Sequence, residues 1–167
     1  MSPVAVIVGA PGAGKTTVGR LLAMRLGVTF RDTDHDVETL AGKPVSDIFL
    51  DDGEPEFRRL EASAVATALA EHDGVLALGG GAVGDPATRE ALNGQPVVWL
   101  RVGVADAASR VGLSGARPLL LGNMRGQLIK LMQERTPLYE EVATFTVDTD
   151  GRSPEDVLAE VLERLQP

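Results

Sequence analysis

The stretch GAPGAGKT at residues 9–16 constrains this chain more than any other. It matches the pattern G-x-x-x-x-G-K-[ST] at every fixed position. Residues 4–8 before it are apolar and β-branched, which predicts a buried strand, and residues 17–26 after it carry apolar side chains at helical spacing. Between a strand and a helix, such a loop turns its backbone N–H groups and the helix N-terminus toward phosphate oxygens. We therefore predict a nucleoside triphosphate site.

The residue types of this loop assign roles within the predicted site. Lys15 can reach the β- and γ-phosphates, and the Thr16 hydroxyl can bind Mg²⁺. The dinucleotide-binding fingerprint fits less well, because no third glycine follows at its required position. The residues predicted to bind the nucleotide here are Gly12, Ala13, Gly14, Lys15, Thr16 and Thr17.

Composition excludes several classes of function. The net charge of −8 argues against a nucleic-acid binder, which needs a basic face. The sequence has no apolar run near the 20 residues that span a bilayer, and no cysteine for a disulfide or thiolate site. The first strand begins almost at the N-terminus, which leaves no room for a signal peptide. We expect a single cytoplasmic domain over residues 1–167, with neither a nucleic-acid nor a membrane partner.

The order of the predicted elements indicates the fold class. Apolar strand segments alternate with helical stretches, a pattern typical of α/β proteins with a parallel sheet and helices on both faces. The five predicted strands cover residues 4–8, 29–32, 75–78, 96–100 and 145–147. After a helix over residues 104–111, glycine and proline at residues 112–118 predict a mobile loop. Ser46 or Asp47 is the predicted cap of the segment that contains residues 48–49, and Ser153 followed by Pro154 predicts the start of the last helix.

Two other predicted strands end in chemically marked residues, as the first strand does. Ligands of open α/β sheets bind at the carboxyl ends of the strands. Asp32 and Asp34 face the same crevice if the strand continues, where one can assist Mg²⁺ through water and the other can accept a hydrogen bond from a substrate hydroxyl. A helix N-cap and a first-turn acid are the alternative. Gly79, Gly80 and Gly81 favour a close backbone approach to a ligand over a simple flexible turn.

An acidic protein needs a local cluster of positive charge to bind an anionic substrate. Arg58 and Arg59 precede Glu61 at the start of a predicted helix. Taken alone, they are explained as well by surface ion pairs three residues apart, which contribute only a few tenths of a kcal/mol. The arginines by themselves therefore leave the anion site open.

The chain resembles the shikimate kinases over nearly its whole length. Beyond the phosphate loop, the matching motifs are Asp32-Thr33-Asp34, Gly53-Glu54-x-x-Phe57-Arg58-x-x-Glu61, Gly79-Gly80-Gly81-Ala82, Arg117-Pro118-Leu119-Leu120 and Glu134-Arg135-x-Pro137-Leu138-Tyr139. The resemblance implies a three-layer P-loop kinase fold with a five-stranded parallel sheet. It also implies a substrate-binding region at about 33–61 and a mobile lid at about 112–124.

The resemblance also implies roles for individual residues. Catalysis would rest on Lys15, Asp34 and Arg117, the last reaching the transferred phosphoryl group from the lid. Arg110, Arg117 and Arg152 would contact the nucleotide, and Thr16, with Asp32 through water, would hold the metal. The substrate would be bound by Asp34, Arg58, Glu61, Gly79, Gly80, Gly81 and Arg135, of which Arg58 and Arg135 would hold its carboxylate.

The expected reaction is transfer of the γ-phosphate of MgATP to the 3-hydroxyl of shikimate by a monomeric enzyme. Two alternatives remain at this point. One is a kinase for another small hydroxy acid such as gluconate. The other is a P-loop switch NTPase, which the absence of an Asn-Lys-x-Asp stretch for guanine disfavours.

Overall fold

A computed structural model describes residues 2–114 and 124–165, with the side chains of all of these except 111–114, 124 and 125. Within this part of the chain, five parallel strands form one sheet in the order β2-β3-β1-β4-β5. The strands are β1 (Ala5–Val8), β2 (Phe30–Asp32), β3 (Val75–Ala77), β4 (Val97–Arg101) and β5 (Phe145–Asp148). The predicted α/β class with a five-stranded parallel sheet is confirmed.

The helices that the structure describes form the two outer layers and an additional lobe. They are α1 (Lys15–Leu26), α2 (Thr33–Ala41), α3 (Val45–Asp51), α4 (Glu54–Glu71), α5 (Pro86–Ala91), α6 (Val104–Ser114), α7 (Met124–Val142) and α8 (Pro154–Leu165), with a 3-10 turn at Ala82–Gly84.

Strand β1 explains the layering, because successive side chains of a strand point to opposite faces. Ala5 and Ile7 pack with α1 and α8 on one face, while Val6 and Val8 pack with α4 on the other. Because both faces are covered, the strand is apolar throughout rather than alternating. A smaller cluster joins α2, α3 and α4 beside the sheet.

The strand order places the marked strand ends next to one another. β1 pairs with β3, and β3 pairs with β2, all in parallel. Residues that follow these three strands therefore meet at one edge of the sheet. The phosphate loop, Asp32 and Gly79 consequently lie around a common crevice.

Two predicted boundaries are wrong. The helix expected to end at Val111 continues as α6 through Gly112 to Ser114, so the residues expected to open the mobile lid are helical. Helix α3 begins at Val45 with Pro44 as its N-cap, rather than being capped by Ser46 or Asp47. The Glu38 carboxylate of α2 accepts a hydrogen bond from the Val45 N–H at 2.9 Å. A neighbouring helix therefore caps α3, which local sequence does not reveal.

The expected start of the last helix is confirmed, since the Ser153 hydroxyl accepts a hydrogen bond from the Asp156 N–H at 3.1 Å and Pro154 follows the cap. Across residues 2–114 and 124–165, no helix combines the length and apolar character that crossing a membrane requires.

Candidate active site

Glycine is required at different positions of the phosphate loop for different structural reasons. Gly12 and Gly14 have φ values of +84° and +88°, a region that L side chains rarely adopt, and Gly14 is the N-cap of α1. A Cβ at Gly9 would lie 2.6 Å from the carbonyl oxygen of Leu100, so this position requires a close approach to β4. The loop thus presents its backbone at the start of α1, as the motif predicts.

Lys15 lies along the inside of this loop. Its Nζ donates to the carbonyl oxygens of Gly9 at 2.8 Å and Ala10 at 3.1 Å. The ammonium group is therefore held where the loop encloses it, at the N-terminal end of α1. A positive charge and a helix N-terminus at the same point suit an anionic ligand.

Asp32 serves as a helix cap and also contacts the phosphate loop. Strand β2 ends at this residue and α2 begins at Thr33, so the strand does not continue through Asp34. Asp32 Oδ1 accepts a hydrogen bond from the Asp34 N–H at 2.9 Å, and Asp32 Oδ2 accepts one from the Thr16 hydroxyl at 3.4 Å. The functional interpretation and the capping alternative therefore apply to the same carboxylate.

The oxygens of Thr16 and Asp32 fit a magnesium ion. Mg²⁺ prefers hard oxygen ligands, and in kinases one or two protein groups usually hold it together with substrate phosphates. Among the described residues no cluster of three or more His, Cys, Asp or Glu side chains could hold a metal by itself. A hydroxyl and a carboxylate beside the phosphate loop match the expected mode of binding.

Gly79 leaves room for two carboxylates. A Cβ there would lie 2.6 Å from Asp34 Oδ1 and 2.8 Å from Glu61 Oε2. The Gly79 N–H donates to the buried Thr33 hydroxyl at 3.2 Å, which fixes the glycine segment to the start of α2. The three glycines are therefore explained by close packing of functional side chains on their backbone.

Gly81 leaves room for the side chains of two arginines. A Cβ there would lie 2.5 Å from Nη1 of Arg58 and 2.8 Å from Nη2 of Arg135. Arg58 comes from α4 and Arg135 from α7, so two distant parts of the chain converge on one short segment. Two guanidinium groups at one point can supply the anion site that the net charge does not.

The two adjacent arginines of α4 have different surroundings. Arg59 is 68% exposed and pairs with Glu56, three residues earlier on the helix. Arg58 donates from Nη1 to the buried Glu61 carboxylate at 2.8 Å and lines a cavity. The surface-pair interpretation therefore holds for Arg59, whereas Arg58 faces inward.

A cavity of about 540 Å³ joins these groups to the phosphate loop. Its polar lining includes Asp34, Arg58, Glu61 and Arg135, and Pro11 of the loop borders it. Apolar side chains form much of the remaining wall, and they include Val45, Phe49, Leu50, Phe57, Leu128 and Leu131. A compact ligand with an apolar body, a carboxylate and hydroxyl groups fits this lining.

Burial sets the protonation of Glu61, which is only 3% exposed. Loss of hydration raises the pKa of this carboxyl above its ordinary 4.5, although the Arg58 guanidinium opposes the shift. The neighbouring Asp34 charge raises the pKa further. The fold therefore makes ionisation of Glu61 less favourable than it is in the unfolded chain.

The raised pKa of Glu61 should affect how the free energy of unfolding depends on pH. Because the folded-state pKa of Glu61 exceeds the unfolded value, ionising the chain above about pH 4.5 favours the unfolded state. We expect the free energy of unfolding of Glu61→Gln to increase relative to that of wild type as the pH rises from 4.5 through the folded-state pKa, which means that the variant becomes relatively more stable. Urea unfolding from about pH 3 to 8 measures the difference.

Glu56→Gln is the matched control on the same helix. Its pairing with Arg59 lowers the pKa of Glu56, so the carboxylate stabilises the fold above pH 4.5 and loses that effect as the pH falls. The difference between this variant and wild type should therefore change in the opposite direction, below pH 4.5. The same direction for both variants would contradict the assignment for Glu61.

The structure describes the contacts of two of the three arginines predicted to bind the nucleotide. Arg110 Nη1 donates to the Gly12 carbonyl oxygen at 2.8 Å, which places it on the phosphate loop. Arg152 donates to the Asp148 carbonyl and to Glu160, joining β5 to α8. Its role at the nucleotide stays a prediction. Arg117 and the lid sequence around it lie outside the described residues.

Sequence reasoning missed part of the site. Thr33 and Tyr139 belong to motifs that were recognised, but neither received a role, although both contact the glycine segment. The apolar wall was missed as well, since Phe49, Phe57 and Leu128 come from three helices. The four-residue spacing of Arg135 and Tyr139 was the one local signal that could have identified Tyr139, because this spacing places both side chains on one face of a helix.

Comparison with known proteins gives one consistent family. The sequence model of the shikimate kinase family matches residues 11–166. A shikimate kinase from Saccharopolyspora erythraea is 60% identical over 99% of this chain and 95% of its own length. The solved structure of a shikimate kinase from Acinetobacter baumannii in complex with shikimate has a TM-score of 0.93 and 36% identity, covering 99% of this chain and 93% of its own.

A gluconokinase is also structurally similar, but more distantly. The protein from Sinorhizobium meliloti has a TM-score of 0.59 and 20% identity over 96% of this chain and 90% of its own. At that identity the similarity establishes a common fold and nothing about the acceptor.

Proposed function

Because this chain belongs to the shikimate kinase family, we propose that it transfers the γ-phosphoryl group of ATP to the 3-hydroxyl of shikimate. The observation that carries the proposal is the cavity in which Asp34, Arg58 and Arg135 converge beside Pro11 of the phosphate loop. In the reaction, a bond forms between the hydroxyl oxygen and the γ-phosphorus, while the bond from that phosphorus to the β–γ bridging oxygen breaks. The hydroxyl proton is released, and the products are shikimate 3-phosphate and ADP.

The two arginines orient the acceptor through its carboxylate. A planar guanidinium donates two parallel hydrogen bonds to a carboxylate, so Arg58 and Arg135 together fix both its position and its plane. The Gly81 backbone carries no Cβ that would displace them. Glu61 accepts a hydrogen bond from Arg58 Nη1 at 2.8 Å and Glu54 accepts one from Nε at 3.4 Å, which leaves Nη2 for the ligand.

Asp34 orients the reacting hydroxyl. It lies on the first turn of α2, which Asp32 caps, and it lines the cavity beside Glu61. A carboxylate at this point accepts a hydrogen bond from the attacking hydroxyl and can take its proton as the new bond forms. Burial raises the pKa of Glu61, which lies next to Asp34.

The phosphate loop binds the donor. Phosphoryl transfer depends on in-line positioning and on charge stabilisation more than on covalent catalysis. Lys15 supplies positive charge at the β- and γ-phosphates, and Thr16, with Asp32 through water, would hold Mg²⁺. The metal, when bound, would neutralise charge on the phosphate oxygens. Arg117 would contact the transferred group, and Arg110 and Arg152 the nucleotide.

The apolar wall favours a cyclic acceptor. Phe49 and Phe57, whose ring centroids are 4.7 Å apart with 33° between the ring planes, form an aromatic surface beside the polar cluster. A six-membered carbon ring covers such a surface, whereas an extended polyhydroxy acid would leave hydroxyl groups unpaired against it. This lining favours shikimate over gluconate.

The decisive experiment measures ADP release with different acceptors. With MgATP as the donor, we expect turnover with shikimate to exceed that with gluconate, nucleoside monophosphates or no acceptor by at least tenfold. Equal rates with any of these would overturn the assignment. Replacing ATP by GTP in the same assay tests the switch NTPase, for which guanine preference without an acceptor is the expected behaviour.

We also propose that the enzyme acts as a monomer in the cytoplasm, where ATP is available as the donor. Asp34, Arg58, Glu61 and Arg135 of one chain converge on the cavity, which supports a site formed within one subunit. Sedimentation at the enzyme concentration of the assay measures the assembly state.

A further inference from the structure

We propose that Tyr139 is a positioning residue, which holds Arg135 and the Gly80 backbone in the arrangement that binds the acceptor carboxylate. The inference rests on the proposed function and adds to it the residue that maintains the carboxylate clamp, meaning Arg58 and Arg135. Tyr139 does not line the cavity, so it would act through its neighbours.

The contacts of the Tyr139 hydroxyl support this role. It donates to the carbonyl oxygen of Gly80 at 2.5 Å, and the residue is only 2% exposed. Its ring stacks on Trp99 of β4, with 5.6 Å between the ring centroids. The hydroxyl is therefore held between the sheet and α7, and it fixes the middle glycine of the 79–81 segment.

Gly80 connects the clamp to the phosphate loop. A Cβ at this glycine would lie 3.4 Å from Nη1 of Arg135 and 3.1 Å from Cδ of Pro11. A displacement of the Gly80 peptide would therefore move the surface on which the guanidinium rests. Tyr139, by holding that peptide, limits where Arg135 can lie.

A proline within α7 gives a second reason why the hydrogen bond from Tyr139 to Gly80 matters. Pro137 lies inside α7, between Arg135 and Tyr139, and has no N–H to donate to the carbonyl of Gln133. The turn that carries Arg135 thus lacks one backbone hydrogen bond. The hydrogen bond from the Tyr139 side chain to Gly80 joins this turn to the glycine segment that follows β3.

The electrostatic surroundings are consistent with a permanent donor. Burial raises the pKa of Tyr139 to about 12, while the Arg135 charge and a hydrogen bond with it act in the opposite direction. Burial likewise lowers the pKa of Arg135, and the interaction with Tyr139 raises it. The phenol therefore keeps its proton, and the guanidinium its charge, at any pH at which the enzyme would be assayed.

Tyr139→Phe tests the proposal, because it removes the hydroxyl and keeps the ring on Trp99. We expect the KM for shikimate to rise about 2- to 13-fold, which corresponds to the loss of one net hydrogen bond. The kcat and the KM for ATP should stay within twofold of wild type. Thr136→Val is the matched control: it removes a hydroxyl that donates only within α7, to Met132, and should leave all three constants unchanged.

A double-mutant cycle shows whether Tyr139 acts through Arg135. In the Arg135→Lys background, Tyr139→Phe should raise the KM for shikimate less than twofold, because the group that it positions is gone. Additive effects would overturn the proposal. So would a lower melting temperature with an unchanged KM, which is the result of a purely structural role.

The outcomes also separate this inference from the proposed function. A wild-type enzyme that phosphorylates shikimate, with the same KM in Tyr139→Phe, refutes the positioning role alone. A wild-type enzyme without shikimate-dependent ADP release refutes both.

Discussion

Replacing Lys15 with alanine is expected to lower kcat for shikimate phosphorylation by about 10²- to 10³-fold. Removal of one preorganised charge-stabilising donor from an active site has an effect of this size. Charge builds up on the β- and γ-phosphate oxygens as the phosphoryl group moves, and Lys15 lies inside the loop that would enclose them. Steady-state ADP release with saturating shikimate and MgATP measures the loss.

Lys130→Ala is the control for Lys15→Ala. Lys130 is an exposed lysine of α7 that does not line the cavity. Its replacement changes the net charge by the same amount as Lys15→Ala but leaves the site intact. We expect turnover within twofold of wild type. Circular dichroism should show both variants folded, because the hydrogen bonds from Lys15 Nζ to Gly9 and Ala10 lie within its own loop. Turnover of Lys15→Ala near that of Lys130→Ala would refute the assignment of the phosphate loop.

Sequence patterns predicted the sheet because its determinants are local. Residues 4–8 form a continuous apolar run, which a strand covered on both faces requires, and the observed strand is Ala5–Val8. The two wrong boundaries depend on tertiary structure. Glu38 of α2 caps α3, and α6 passes through Gly112, although glycine disfavours a helix interior.

The site was predictable to the extent that each residue stands in a recognisable motif. The motifs name Arg58 and Arg135, yet their convergence on Gly81 depends on how α4 and α7 pack against the sheet. Neither the i,i+3 pairing of Arg58 with Glu61 nor that of Arg59 with Glu56 reveals which arginine faces inward. Burial decides this, and burial is a property of the whole fold.

Arg58→Lys is expected to raise the KM for shikimate about 10- to 100-fold. Lysine keeps the positive charge but cannot pair with Glu61 and also present two parallel donors to a carboxylate. The lost charge-assisted hydrogen bond corresponds to roughly 1.5–3 kcal/mol. The KM for ATP should change less than twofold, because Arg58 is proposed to bind the acceptor carboxylate and not the nucleotide phosphates.

The neighbouring arginine supplies the control, since Arg59→Lys makes the same chemical change one residue away on the same helix. Arg59 is 68% exposed and pairs only with Glu56 among the described residues, so its replacement should leave both KM values within twofold of wild type. A direct binding measurement with shikimate alone, by calorimetry, should show the same contrast in Kd between the two variants. If Arg58→Lys binds shikimate as tightly as Arg59→Lys does, Arg58 does not hold the carboxylate, and Arg135 alone would have to account for acceptor binding.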